Sequence, residues 1–153
     1  MNVISNSSPL IALSCIDQLV ILKQIFKSLV IPDAVYRETV TLNQYEPQRT
    51  RIQVASETFI KVIKPNVHHR FTRNLGDGER GVINLGIEQQ PDIVLLDDKK
   101  ARNEAVSLVL FPVFTTDIIK RAVKTGLLAS YQDVIDELAL QEFPYLKVPN
   151  DER

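Results

Sequence analysis

Five residues scattered along the chain have the chemistry to hold a hard divalent cation: Asn6, Glu38, Glu79, Asp97 and Asp98. Each offers oxygen, the donor that Mg2+ and Mn2+ prefer, and both ions keep several waters when bound. A cation held in this way lowers the pKa of a bound water, orients it in line and stabilises charge on phosphoryl oxygens. That is the chemistry of phosphodiester hydrolysis. Gathering like charges is unfavourable unless something positive compensates, so convergence of these acids would itself point to a metal. Zinc is not suggested. His68 and His69 are adjacent, and the single cysteine, Cys15, lies inside the apolar run 10–16 as an unreactive packing residue.

Whether the acids meet depends on the elements that carry them. Short apolar runs alternate with helical patterns, with no internal repeat, low-complexity tract or linker. Residues 3–4 open a strand that breaks at Asn6-Ser7-Ser8-Pro9. There Ser8 is expected to cap a helix with Pro9 in its first turn, where a missing amide hydrogen is no loss. That helix, over 10–26, is expected in two pieces. Residues 28–31 form a second strand, 32–40 a helix, 46–58 a polar-faced helix and 59–63 a third strand. A helix over 77–90 precedes the run 93–96, whose uninterrupted apolar character marks a central parallel strand covered on both faces. A helix over 98–108, a strand at 113–114 and helices near 116–126 and 131–141 follow. This alternation predicts an α/β fold, with a central, mostly parallel sheet of four to five strands and helices on both faces.

In such a sheet, ligands bind beyond the carboxyl ends of the strands. Asn6, Asp97, Asp98 and Asp117 all follow strands. Glu38 lies about two turns into the helix after the second strand, and Glu79 lies in the first turn of the helix opening at Asp77. Each acid also has an ordinary reading. Asp98 suits a helix N-cap with Arg102 as an i+4 partner, Asp77 and Glu79 answer a helix dipole, and Glu38 suits a solvated surface. The case for a site rests on joint placement.

The chain's 153 residues suit one domain, with a tail over about 143–153, and 44% hydrophobic against 24% charged residues argues a folded globule. A net charge of −1 gives no global field to attract nucleic acid, so binding would need a local patch. His68, His69, Arg70, Arg73, Lys99, Lys100 and Arg102 are the candidates, with a solvated surface as the competing reading. Phe71 and Tyr36 suit either base stacking or the core. One cysteine, no visible signal peptide and no apolar run near ~20 residues predict a cytoplasmic protein off the membrane. Residues 76–81 spell G-x-G-x-x-G. However, a polar, basic stretch precedes them where a strand is needed, and Asp77 and Glu79 would repel a pyrophosphate. A phospho-receiver would want paired acids after the first strand, where this chain has Asn6-Ser7.

The stretches Ile4-Ser5-Asn6-Ser7-Ser8-Pro9-Leu10-Ile11, Ile31-Pro32-Asp33-Ala34-Val35-Tyr36-Arg37-Glu38, Leu75-Gly76-Asp77-Gly78-Glu79 and Leu95-Leu96-Asp97-Asp98-Lys99-Lys100-Ala101-Arg102 together resemble the PIN domain. The specific likeness is to the branch of predicted nucleic-acid-binding proteins related to VapC-type toxins, and it runs from residue 2 to about 143. The resemblance implies a Mg2+- or Mn2+-dependent ribonuclease with a quartet of acids. By motif these are Asn6, Glu38, Glu79 and then Asp98 or Asp97, the family's spacing leaning toward Asp98. Ser7 and Ser8 match a small hydroxyl position that assists the site, and Arg70, Arg73, Lys99 and Arg102 would bind RNA. A homodimer is implied, with the apolar stripe 10–26 as a candidate surface, as is a cognate small antitoxin whose charged tail enters the site. The first position is usually Asp in active members. Asn6 supplies an oxygen without a charge. Two readings follow: a metal-dependent endoribonuclease, the toxin of a toxin–antitoxin pair, or a catalytically weakened PIN-like module that binds nucleic acid or protein without cutting.

Overall fold

Buried at all three positions, β1 (Val3–Ser5) has no face to show to water and must lie inside a covered sheet. The computed structural model, which describes residues 1–141, places it there. It pairs in parallel with β2 (Leu29–Pro32) on one side and β4 (Ile93–Leu95) on the other, with Ile4 opposite Val30 and Val94. β3 (Ile60–Ile63) and β5 (Pro112–Val113) add parallel edges, giving the order β3-β2-β1-β4-β5. The chain winds outward from β1 to β3, then crosses to the other side of β1 for β4. That reversal puts the topological switch point at the carboxyl ends of β1 and β4, where a doubly wound sheet opens a crevice.

The helices are α1 (Ser7–Cys15), α2 (Val20–Phe26), α3 (Asp33–Tyr36), α4 (Glu46–Ser56), α5 (Asp77–Gln89), α6 (Lys99–Ser107), α7 (Thr115–Lys124) and α8 (Tyr131–Leu140). They cover both faces of the sheet. α5 packs on β1, β2 and β4 and meets α3 and α6, while α1 packs with α4 and α7. Among the described residues no helix is long and apolar enough to cross a membrane. The expected tail over 143–153 lies outside the described residues.

Three expectations change. Ser8 does not cap α1, because the helix begins two residues earlier, with Asn6 at its N-cap and Pro9 buried in its first turn. The helix after β2 does not stay α-helical. It passes into a π turn at Arg37–Thr41, where the buried Thr39 hydroxyl donates to Val35 O at 2.8 Å. The apolar stripe 10–26 is mostly core, with Val20 its exposed member. Leu10, Leu13 and Leu22 are fully buried in the chain's own core, and Tyr36 and Phe71 also pack against that core.

Candidate active site

Asparagine is a preferred N-cap because its side-chain oxygen can accept from the first free helical amides. Asn6 forgoes this: it stands at the N-cap of α1 but makes no capping bond. Its backbone is fixed by Asn6 N–H donating to Leu95 O at 3.0 Å, across the β1–β4 switch point. Its side-chain oxygen lies against Gly78 in the first turn of α5. A Cβ on Gly78 would fall 2.9 Å from Asn6 Oδ1 and 2.6 Å from Glu38 Oε1. The amide and the carboxylate thus flank one point, kept open because residue 78 has no side chain. One turn on, a Cβ at Gly81 would fall 2.8 Å from Pro32 Cβ, so the missing side chain lets α5 lie close to the start of α3.

Glu38 projects from the π turn, a helix irregularity often found at functional sites. The Ser7 hydroxyl donates to its Oε1 at 2.5 Å, tying α1 to the turn. Glu79 accepts from Gly76 N–H at 2.9 Å, so its helix-capping reading holds as well. Burial pushes the Glu79 carboxyl above the usual range. The charges of Asp98 and Glu38 add to the rise, against a downward pull from the Gly76 amide and Arg80. Asp98 caps α6, its Oδ2 accepting from Ala101 N–H at 3.1 Å, while Lys99 beside it is exposed. Asn6, Ser7, Ser8, Glu38, Gly76 and Glu79 line a cleft of about 400 Å3.

Asp97 belongs to a different group. It is 4% exposed, and Thr115 fills both of its oxygens, the amide and the hydroxyl each donating at 2.7 Å. Burial raises its carboxyl, partly opposed by those two bonds and by Arg102. Asp117 accepts from Phe114 N–H at 3.1 Å and caps α7. Arg102 lies 3.5 Å over the Phe114 ring and donates to Leu96 O at 3.0 Å, so it braces the ends of β4 and β5 rather than standing free. Asp77 pairs with Arg80. Arg73 donates to Glu104 at 2.7 Å, whereas Arg70 is exposed.

Two residues were not assigned to the site from the sequence. Gly78 is one; it stood in the 76–81 glycine pattern and in the motif ending at Glu79, where a turn was its expected role. The other is Glu104, 1% exposed, which also accepts from the Thr72 hydroxyl at 2.8 Å and from its amide at 3.2 Å, with His69 Nε2 at 3.4 Å. Burial pushes its carboxyl up. Arg73, Thr72 and His69 together outweigh that and hold it at about 2. Its signal was position: it shares a helix face with the inward Ala101 and Ala105.

Among the described residues no three Asp, Glu, His or Cys side chains stand close enough to enclose a metal ion. The nearest donor set is the Asn6–Glu38 pair at Gly78, with the negative charge of Glu79 and Asp98 beside it. In kind these donors fit a hard cation, since every one is oxygen.

A family model described as a PIN domain (DUF3368) matches residues 2–147. Among solved structures, the fold is similar to a PilT N-terminus domain protein, SSO1118, from the hyperthermophilic archaeon Sulfolobus solfataricus P2. That match has a TM-score of 0.57 at 15% identity and covers 80% of this chain and 94% of the other. At such identity the likeness is one of fold. A search of curated proteins returned no match.

Proposed function

The chain belongs to the PIN-domain family and is a PIN-type, nuclease-like module; from that premise we propose that it is a metal-dependent endoribonuclease. PIN domains typically use divalent metals. The observation that carries the proposal is the convergence of Asn6 Oδ1 and Glu38 Oε1 on the open point at Gly78, at the switch point of the sheet. Glu38 and Asn6, joined by Glu79 and Asp98, are the residues that would hold Mg2+ or Mn2+. When bound, such an ion supplies an activated water and neutralises charge on the phosphoryl oxygens. The chain's own groups fix the geometry. Ser7 orients Glu38, the Gly76 amide orients Glu79, and the α6 cap orients Asp98. Thr115 occupies both oxygens of Asp97, which makes Asp98 the better fourth member.

Asn6 favours a second reading, a catalytically weakened module that binds nucleic acid or a protein partner without cutting, because it brings no charge to the first position. As further parts of the proposal, the protein is a cytoplasmic toxin that forms a homodimer and pairs with a small antitoxin. The support for these is the resemblance to VapC-type toxins. The deciding experiment is cleavage of single-stranded and structured RNA with Mn2+, with and without EDTA, by wild type and Glu38→Gln. EDTA-sensitive cutting that Glu38→Gln abolishes upholds the enzyme. RNA bound but intact under every condition upholds the weakened module instead.

A further inference from the structure

The segment between β3 and α5 contains the basic stretch and divides it in two. Residues 64–71 make no helical turn or strand ladder, and their exposure alternates with the period of two of an extended chain. Pro65, Val67, His69 and Phe71 are half-buried; Lys64, Asn66, His68 and Arg70 are exposed. Helix side chains tie this strap down through its own amides. Glu88 Oε1 accepts from Asn66 N–H at 2.5 Å and from Val67 N–H at 2.7 Å, and Asn84 Oδ1 accepts from His69 N–H at 2.9 Å. Glu104 then holds Thr72 and Arg73. Glu88 and then Asn84 are met in that order, so the strap runs back along α5 from its end toward its start, with Glu104 of α6 holding the residues that follow. It arrives at Leu75 and Gly76, and Gly76 lines the cleft.

The inward basic side chains, His69 and Arg73, are engaged by Glu104. The outward ones are not: among the described residues Lys64, His68 and Arg70 take part in no salt bridge. They occupy the first, third and fourth of the four outward positions of a fixed track, with the neutral Asn66 at the second. Successive outward positions on an extended chain are ~6.6–6.8 Å apart, comparable to the spacing of phosphates along a stretched single strand. A single row of this kind suits one strand.

We infer that this strap is the track along which single-stranded RNA enters the cleft, its phosphates meeting Lys64 and Arg70 with His68 between them. The inference rests on the ribonuclease reading and specifies its substrate as single-stranded. A local row is also what a chain of net charge −1 requires in order to hold a polyanion.

The test is binding of a labelled single-stranded oligoribonucleotide in EDTA across a salt series, with a duplex of the same length as comparison. Lys64→Ala and Arg70→Ala should each flatten the slope of log K against log salt by ~0.7, as for one lost phosphate contact on a single strand. Arg73→Ala, checked by melting to be folded, should leave the slope unchanged, and the duplex should bind several-fold more weakly. Unchanged slopes in both outward variants, an equal change in Arg73→Ala, or no binding at all would overturn the track. Mn2+-dependent cleavage is scored separately. A protein that binds with the expected slopes but does not cut keeps the track and loses the nuclease. One that cuts with unaltered slopes does the reverse.

Discussion

Gly78 stands so close to Glu38 that a methyl group on it would lie 2.6 Å from the Glu38 Oε1 atom. The atoms it would strike, Glu38 Oε1 and, at 2.9 Å, Asn6 Oδ1, are the ends of side chains rather than backbone, so the fold can accommodate the change by moving that carboxylate and that amide. Alanine is also the better helix former, by ~1 kcal/mol. Gly78→Ala should therefore melt within a few degrees of wild type while losing ~1.4 kcal/mol or more of Mn2+ binding, at least tenfold in affinity. Calorimetric titration with Mn2+ beside thermal melting checks both halves. Unaltered Mn2+ affinity would show that the space at Gly78 is not where the ion sits.

The strand before Asp97 and Asp98 shows what sequence could and could not convey. The run 93–96 reads as a covered central strand because apolar residues fill both of its faces, and the structure places β4 beside β1. The acids after it were ambiguous because adjacent residues leave a strand end in different directions. Which of Asp97 and Asp98 turns toward Thr115 depends on a partner 18 positions away. The basic stretch posed the same problem of parity, leaving Arg70 outside and Arg73 inside. The π turn under Glu38 left no mark in the periodicity. The helix period puts Glu104 on the inward face of α6, but the strap residues that satisfy it there leave no mark in that period.

Glu79 yields a prediction with a definite sign. Its carboxyl is raised by burial first, then by Asp98 and Glu38. The folded state thus binds this proton more tightly than the unfolded state, so ionised Glu79 lowers stability above its folded pKa. The penalty fades as pH falls through the raised folded value and is gone below the ordinary glutamate value of 4.5. In EDTA, Glu79→Gln should melt above wild type near ~pH 8, and the gap should narrow on acidification through that range. With Mn2+ the order should reverse, because only wild type keeps the charge the ion needs. A variant that melts below wild type by the same margin at every pH would reduce Glu79 to a helix cap.

Glu104 predicts the opposite trend. Its carboxyl is held at about 2 against an ordinary 4.5. Its contribution is therefore complete above ~4.5 and is lost as pH falls through about 2. Glu104→Gln, which leaves Arg73 poorly paired, should cost about 2 kcal/mol at neutral pH. That difference should close on acidification. Amide exchange should also quicken at Thr72, whose N–H donates to Glu104. Denaturant melts across pH with hydrogen exchange test this; protection at Thr72 equal to wild type would mean the strap is held by other contacts.

Asn6→Asp bears most directly on whether this chain cuts RNA. The change is nearly isosteric and disturbs no capping bond, because Asn6 makes none. It places a second carboxylate beside Glu38 at the point Gly78 leaves open. Without metal, two charges ~5 Å apart repel by about 3 kcal/mol at an effective dielectric of ~20. The new charge also gains ~0.3–1 kcal/mol from the α1 dipole. Repulsion wins, so the variant should melt below wild type in EDTA. With metal the balance shifts. Attraction between the added carboxylate and a divalent ion reaches several kcal/mol on the same scale, and dehydration together with the repulsion from Glu38, Glu79 and Asp98 cancels much of it. A net ~1–2 kcal/mol should remain, about a tenfold tighter Mn2+ affinity, accompanied by higher ribonuclease activity. The measurements are Mn2+ titration by calorimetry, melting with and without EDTA, and RNA cleavage, each on both proteins. Tighter Mn2+ binding without added cutting would mean that charge was not what limited catalysis, and the weakened-module reading would then stand for reasons beyond Asn6. If binding and EDTA melting are both unchanged, Asn6 does not face the ion, and the candidate site loses its first member.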